Sequence, residues 1–151
     1  MKGKKQGILL LLLCSVILAM TGCSKKEEKN EKREYQMYYL LPTENSLETD
    51  EYIPTKRTTE AMVQEIGQIL EAAPEKEEHF RLLPKDVNIL DCSYDGEKVV
   101  VNFNENYKKM KNTREILVRA GVVKAFVQIP GVEYVEFTEN GAPMTGSEGV
   151  E

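Results

Sequence analysis

The chemistry that this sequence indicates most clearly centres on Cys23, which directly follows the most apolar stretch of the chain. Three lysines occur among the first five residues, and a run of thirteen almost purely apolar residues then spans 8–20. A helix needs about 20 apolar residues to cross a bilayer, whereas the apolar segment of a secretory signal has about 7–15. The run therefore fits a signal peptide better than a permanent membrane span.

The end of this run indicates what becomes of the cysteine. Met20–Cys23 resembles the lipobox of bacterial lipoproteins, although Leu is more usual than Met at its first position. In such a motif the thiol receives a diacylglycerol, and cleavage makes the cysteine the new N-terminus. We predict a lipoprotein signal peptide at 1–22 and lipidation of Cys23, which would anchor the protein on the extracytoplasmic face of the cell membrane. The alternatives are an ordinary signal peptide or a weak anchor helix.

The segment after the cysteine predicts a charged tether, so that residues 23–34 form the lipidated link to the domain. Nine of the eleven residues of 24–34 are charged and none is apolar, so the segment cannot build a core. Removing the three signal lysines from 20 cationic residues leaves 17 against 25 acidic ones, a net charge near −8. Such a chain is unsuited to bind nucleic acid or anionic lipid through charge. The lipid on Cys23 must therefore provide the membrane contact.

Patterns that would indicate catalysis or metal binding are weak. His79 is the only histidine, and its acidic neighbours Glu77 and Glu78 point in different directions, so we expect a solvated loop there. Asp91 and Asn102 fall on the outer face of a predicted hairpin, where contact with solvent explains them. The sequence contains neither a G-x-S-x-G motif nor a phosphate-binding glycine loop. We predict no catalytic, metal or cofactor site, and hence no enzyme.

Hydrophobic periodicity predicts a small α+β domain over 35–151. The expected elements are a strand at 35–41, a polar loop at 42–57, a helix at 58–73, a hairpin at 87–105, a helix at 112–129, a strand at 132–137 and a turn at 139–141. The order β-α-β-β-α-β predicts a two-layer sandwich, with two helices on one face of a mixed or antiparallel sheet.

Each predicted helix has an apolar stripe that we expect to face the core. In the first helix the stripe comprises Met62, Ile66, Ile69, Leu70 and Ala73. In the second helix it comprises Ile116, Ala120, Val123 and Val127, with Leu117 and Phe126 beside them. Gly67 and Gly121 lie within the helices; they either permit close packing or are simply tolerated.

The hairpin is predicted to turn at Asp95-Gly96, which pairs Cys92 with Val99. Alternation then assigns one face to the core, comprising Leu90, Cys92, Tyr94, Val99, Val101 and Phe103. Cys92 is thus expected to be buried as a small hydrophobe rather than exposed as a reactive thiol.

Five segments in order give the chain a family resemblance. The segments "MYYL", "YIPTKRT", "ILEAAP", "LLPKDVNILDCSYDGEKVVVNFNE" and "AFVQIPGVEYVEFTENGAPMT" together are similar to the GerMN domain of Gram-positive sporulation and germination lipoproteins. The chain departs from the family at Asn102, where members often have Asp, and at 122–124, where they often have Asn-Thr-Leu. The resemblance implies a fold similar to ring-building motifs, a role in the envelope through protein contacts, and no known catalytic residues.

We therefore expect a lipid-anchored extracytoplasmic domain that helps to assemble or stabilise a cell-envelope complex, with sporulation or germination as the implied setting. Its partners would be envelope proteins or further copies of itself, bound through sheet faces or edges and helix surfaces. One alternative is a module that binds cell-wall glycan, for which a cleft rimmed by exposed tyrosines and acidic side chains is expected. A weaker alternative is an accessory wall hydrolase, which needs converging titratable groups in a pocket.

Overall fold

The computed structural model describes residues 34–43, 45–110 and 112–144. The predicted signal peptide, Cys23 and nearly all of the tether lie outside the described residues. Within the described part of the chain, no helix is both long and apolar enough to span a bilayer.

The described residues form two small sheets and two helices, which confirms the predicted α+β class. The elements are β1 (Tyr35–Leu40), β2 (Leu47–Tyr52), α1 (Thr59–Glu71), β3 (Ile89–Asp95), β4 (Lys98–Phe103), a 3-10 helix (Glu105–Lys109), α2 (Asn112–Val127), β5 (Tyr134–Glu139) and β6 (Ala142–Pro143). Strands β1 and β2 form an antiparallel pair, and the other four strands form a sheet in the order β3-β4-β5-β6. This second sheet is mixed, because β4 and β5 are parallel while its other pairs are antiparallel.

Both helices cover the same face of the four-stranded sheet. Cys92, Val101 and Phe137 are direct neighbours across β3, β4 and β5, so their side chains share one face. Gly67 of α1 lies against Cys92. The guanidinium carbon of Arg119, on α2, is 5.2 Å from the ring centroid of Phe137. The predicted arrangement of two helices over one sheet face is thus confirmed.

Strand β2 replaces part of the predicted polar loop at 42–57, and that prediction was wrong for Leu47–Tyr52. The strand pairs with β1 from Tyr35↔Tyr52 to Leu40↔Leu47. Its sequence, LETDEY, contains three acidic residues and is mostly exposed or half-buried. Such residues have low strand propensity, so the pairing partner rather than the local sequence determines the strand.

Helix α1 follows the prediction closely. The hydroxyl of Thr58 accepts a hydrogen bond from the backbone N–H of Ala61 at 3.3 Å and caps the helix. The buried residues are Met62, Val63, Ile66, Gly67 and Leu70. The predicted stripe is confirmed except for Ala73, which is exposed beyond the end of the helix. Pro74 explains the early end, because a proline disfavours helical backbone in the residue before it.

Helix α2 has its buried face on a different side from the one predicted. Ile116 is 66% exposed and Val127 is 39% exposed, so the prediction that they face the core was wrong. The residues of α2 that are buried are Val118, Gly121, Val122, Ala125 and Phe126. Both sides of this helix are apolar in sequence, and hydrophobic periodicity cannot decide between them. In the structure the side of the helix that contains Gly121 faces the core, because the glycine allows the helix to lie directly on the buried side chain of Leu82.

The hairpin of β3 and β4 is shifted by two residues from the predicted register. Cys92 pairs with Val101 rather than Val99, and the tight turn centres on Gly96 with φ +72°. A shift of two residues preserves the two faces, because side chains alternate with a period of two. A bulge in β3 nevertheless turns Leu90 outward, where it is 53% exposed, so its predicted place in the core was wrong.

Candidate functional site

The structure confirms that Cys92 is buried and that Asp91 faces outward. Cys92 is buried and free, and burial raises the pKa of its thiol to about 12, which suits a packing role rather than a reactive one. Asp91 is exposed on the outer face. Asn102 on that face does more than contact solvent. Its Oδ1 accepts hydrogen bonds from the Thr138 hydroxyl at 3.1 Å and the Gly141 N–H at 2.8 Å, which ties β4 to the end of β5.

His79 is buried, so the prediction of a solvated loop was wrong. Its ring stacks on Tyr39 with centroids 5.1 Å apart, and its Nδ1 is 3.0 Å from Oδ2 of Asp50. The pair is close enough for ion pairing, although the ring is not oriented for a well-aligned hydrogen bond. The other carboxylate oxygen of Asp50 pairs with Lys76. No local sequence pattern indicates this contact, because Asp50 belongs to the unpredicted strand β2.

This contact fixes the middle of the linker between α1 and β3. Backbone hydrogen bonds of 2.9 and 2.8 Å pair Leu40 with Phe80, the residue after His79. Among the described residues, no group of three or more His, Cys, Asp or Glu side chains is placed to hold a metal ion. The linker is thus docked on β1 with the Phe80 side chain exposed.

A cleft of about 670 Å³ lies between this linker and the segment that leads into α2. We call it the linker cleft. Its apolar lining includes Phe80, Leu83, Pro84, Val87 and Met110. Four cationic residues and one carboxylate also line it: Arg81, Lys85, Lys109, Arg114 and Asp86. No tyrosine among the described residues lines this cleft, so it does not match the tyrosine-rimmed acidic cleft that glycan binding was expected to require.

Two arginines of the linker cleft are held by backbone groups. Arg81 donates from Nη2 to the carbonyl oxygen of Glu71, at the end of α1, at 2.6 Å. Arg114, in the first turn of α2, donates from Nη2 to the carbonyl oxygen of Arg81 at 2.9 Å. The Arg81 Nε is buried and has no hydrogen-bond partner within the described part of the chain. The contact with Glu71 also places a cation at the negative end of the α1 dipole.

The outer face of α2 presents a second surface, which we call the α2 stripe and which comprises Ile116, Ala120, Val123 and Val127. These residues recur at spacings of four, three and four, so they share one side of the helix. The two ends of the stripe are exposed and its middle is half-buried. Charges beside it are already engaged: Glu115 pairs with Arg119 at 3.0 Å, and Lys124 lies over the ring of Tyr38.

One edge strand of the larger sheet, β3, is less available than the sequence suggested. Gln64 of α1 donates from Nε2 to the carbonyl oxygen of Cys92 on β3. Glu71, also on α1, accepts from the N–H of Ile89 at 2.8 Å. Because side chains of α1 occupy these backbone groups, β3 is poorly suited to pair with a strand from another chain. The helix surfaces and the linker cleft are therefore better candidates for contact than this edge.

Two helices packed on a mixed four-stranded sheet, beside a separate β1–β2 hairpin, define a small α+β domain. The chain belongs to the Germane family, described as "Sporulation and spore germination", whose model matches residues 36–145. This confirms the resemblance to GerMN domains. Among curated proteins, no sequence matches the chain.

Solved structures agree with this assignment at the level of the fold. The first GerMN domain of the sporulation protein GerM from Bacillus subtilis is similar with a TM-score of 0.59 and 14% identity, over 75% of this chain and 86% of that one. The tandem GerMN domains of the same protein match with a TM-score of 0.52 and 14% identity, over 75% and 41% of the two chains. A candidate lipoprotein from Clostridium perfringens matches with a TM-score of 0.50 and 18% identity, over 75% and 78%.

Proposed function

We propose that this protein is a lipid-anchored extracytoplasmic domain that binds another protein of the cell envelope and acts in sporulation or spore germination. Membership of the family supports a role in sporulation or spore germination. The candidate lipoprotein of similar fold from Clostridium perfringens supports the anchor. In this proposal the protein recognises a partner and performs no chemistry of its own.

The α2 stripe is the observation that carries this proposal. Ile116 is 66% exposed, although burying such a side chain stabilises a protein by roughly 1.5–3 kcal/mol. An apolar strip with charges along its rim is the usual anatomy of a protein interface. The partner is another envelope protein rather than a second copy, because two copies of the processed chain, each with 17 cationic and 25 acidic residues and hence a net charge near −8, repel each other.

A charge substitution on the stripe tests the contact. Ile116→Asp should abolish crosslinking of the protein to its partner in intact source cells, because a carboxylate cannot be buried there without a counter-charge. Ile53→Asp is the matched control, since Ile53 is also exposed, at 43%, and lies outside α2. Equal crosslinking of both variants contradicts the proposal, and a crosslinked product twice the mass of the chain would indicate self-association instead.

The anchor requires its own test. Cys23→Ala should abolish incorporation of labelled fatty acid and leave unprocessed precursor. Cys14→Ala is the control, because Cys14 lies inside the predicted signal and should not affect labelling. Unchanged labelling of the Cys23 variant would disprove the lipid anchor without affecting the proposed protein contact.

A further inference from the structure

We propose that the linker cleft binds an acidic peptide segment of a protein partner, with carboxylates at its cationic rim and an apolar side chain on its floor. This inference rests on the proposed function in assigning the domain a protein partner. It concerns a different surface, because Arg114 and Ile116 lie on opposite sides of α2, about 200° apart around the helix.

The charge of the linker cleft is opposite to that of the whole chain. Overall, 25 acidic residues outnumber 20 cationic ones. The cleft, in contrast, has four cationic residues and a single carboxylate, that of Asp86. Within the described part of the chain, Arg81, Lys85 and Lys109 pair with no carboxylate. An anionic ligand would supply a counter-charge to these three side chains and would be attracted to this part of the surface.

The arginines of the cleft are suited to carboxylates in particular. Their planar guanidinium groups can donate two parallel hydrogen bonds to one carboxylate, which a lysine cannot do. The Nη2 of Arg81 and that of Arg114 are fixed by backbone carbonyl oxygens, so little side-chain entropy remains to be lost on binding.

The floor of the cleft favours a peptide over an acidic polysaccharide. Phe80, Val87 and Met110 present aliphatic and phenyl surface that suits an apolar side chain. Sugar hydroxyls need many polar partners, and the side-chain amide of Asn106 is already engaged. Its Nδ2 donates to the carbonyl oxygen of Asp86 at 2.8 Å, and its Oδ1 accepts from Lys109 at 2.5 Å. A segment with carboxylates on either side of a large apolar residue fits both parts of the cleft.

Fluorescence anisotropy with defined peptides tests this inference. The full chain, solubilised in detergent, is titrated against a labelled peptide Glu-Glu-Leu-Phe-Glu-Glu and against the same peptide with Gln in place of Glu. We expect saturable binding of the acidic peptide, at least about tenfold tighter than that of the Gln peptide, and weaker binding as salt rises. Absence of saturable binding up to roughly 1 mM peptide, or equal binding of both peptides, overturns the inference.

Matched variants assign the binding to the cleft. Lys85→Glu combined with Lys109→Glu should weaken binding of the acidic peptide by about tenfold or more, since both charges at the rim reverse. The control combines Arg57→Glu with Lys124→Glu, two exposed cations outside the cleft, and should bind as the unaltered chain does. Equal effects of the two double variants overturn the inference, because they would show non-specific charge attraction.

Two further arms separate this inference from its alternatives. Ile116→Asp should leave peptide binding unchanged, because Ile116 lies outside the cleft. If the unaltered chain does not bind the acidic peptide but still crosslinks to its partner through the α2 stripe, the cleft proposal alone is disproved. Polygalacturonate, an acidic polysaccharide, should bind more weakly than the acidic peptide. Tighter binding of polygalacturonate that is lost in the variant with Lys85→Glu and Lys109→Glu would assign the cleft to glycan instead.

Discussion

Gly67 of α1 lies so close to Cys92 of β3 that a Cβ atom at position 67 would be 2.9 Å from the Cys92 Sγ. This contact sets the distance between helix and sheet in the middle of the core. It also explains why a glycine stands inside a helix, where it costs about 1 kcal/mol relative to alanine. The sequence left open whether Gly67 is required for close packing or simply tolerated. The approach to Cys92 indicates that a glycine is required here.

Gly67→Ala should therefore destabilise the domain despite its better helix propensity. Overpacking of a core costs about 1–3 kcal/mol, so we expect a net loss of about 1 kcal/mol in the free energy of unfolding, measured by urea denaturation. In a Cys92→Ala background the added methyl group enters the space left by Sγ, and the same change should become neutral or stabilising. An identical effect in both backgrounds would show that the two residues are not coupled.

Glu65 should make stability depend on pH in the acid range. Desolvation raises the pKa of its carboxyl, but hydrogen bonds from Thr55, Tyr52 and Lys56 outweigh this and lower the pKa to about 2, from an ordinary value of 4.5. A lowered folded-state pKa stabilises the domain above pH 4.5, and that contribution is lost as the pH falls from about 4.5 to about 2.

Glu65→Gln should remove this part of the pH dependence. Thermal unfolding of the two proteins should differ at pH 6 and converge as the pH approaches about 2. The control is Glu60→Gln, an exposed residue in the first turn of α1. Parallel curves for Glu65→Gln and the unaltered chain across the acid range would contradict the prediction.

The turn between β3 and β4 should tolerate only residues that accept a positive φ at position 96. Gly96 has φ +72° with no atom close to where a Cβ would lie, so backbone strain alone determines the cost. We expect Gly96→Val to lower stability by about 2 kcal/mol and Gly96→Asn to lower it by clearly less, because Asn tolerates the left-handed region. Equal melting temperatures for these two variants would argue against the turn geometry.

His79 should contribute to stability as a buried ring rather than as a loop residue. His79→Ala removes both the stacking on Tyr39 and the contact with Asp50, and we expect a loss of about 2 kcal/mol in the free energy of unfolding. Glu78→Ala, at an exposed neighbour, should change stability by less than about 0.5 kcal/mol. A His79 variant as stable as the Glu78 variant would contradict the packing.

The parts of the fold that could be predicted from the sequence are those in which one face alone is apolar. Helix α1 has a single apolar stripe and a good cap at Thr58, and its start and its buried face follow from them. In β4 alternation buries Val99, Val101 and Phe103 completely. Even a hairpin register wrong by two residues gives the correct faces, because the period of side chains along a strand is two.

The rest depended on contacts between distant segments. Strand β2 is acidic and exists because β1 pairs with it, and its absence from the prediction hid the partner of His79. Helix α2 is apolar on two sides, so only the approach of Gly121 to Leu82 shows which side is buried. The linker cleft combines residues from two separate stretches, and no local pattern could have assembled them.

Site-specific photocrosslinking tests the central claim, a protein contact through the α2 stripe, most directly. A photoreactive phenylalanine analogue would replace Ile116 in one version of the protein and Ile53 in another, and both would be irradiated in intact source cells. The proposal predicts a discrete crosslinked envelope protein at position 116 and none at position 53. Crosslinks to lipid or to another copy at 116, or the same product from both positions, would contradict it.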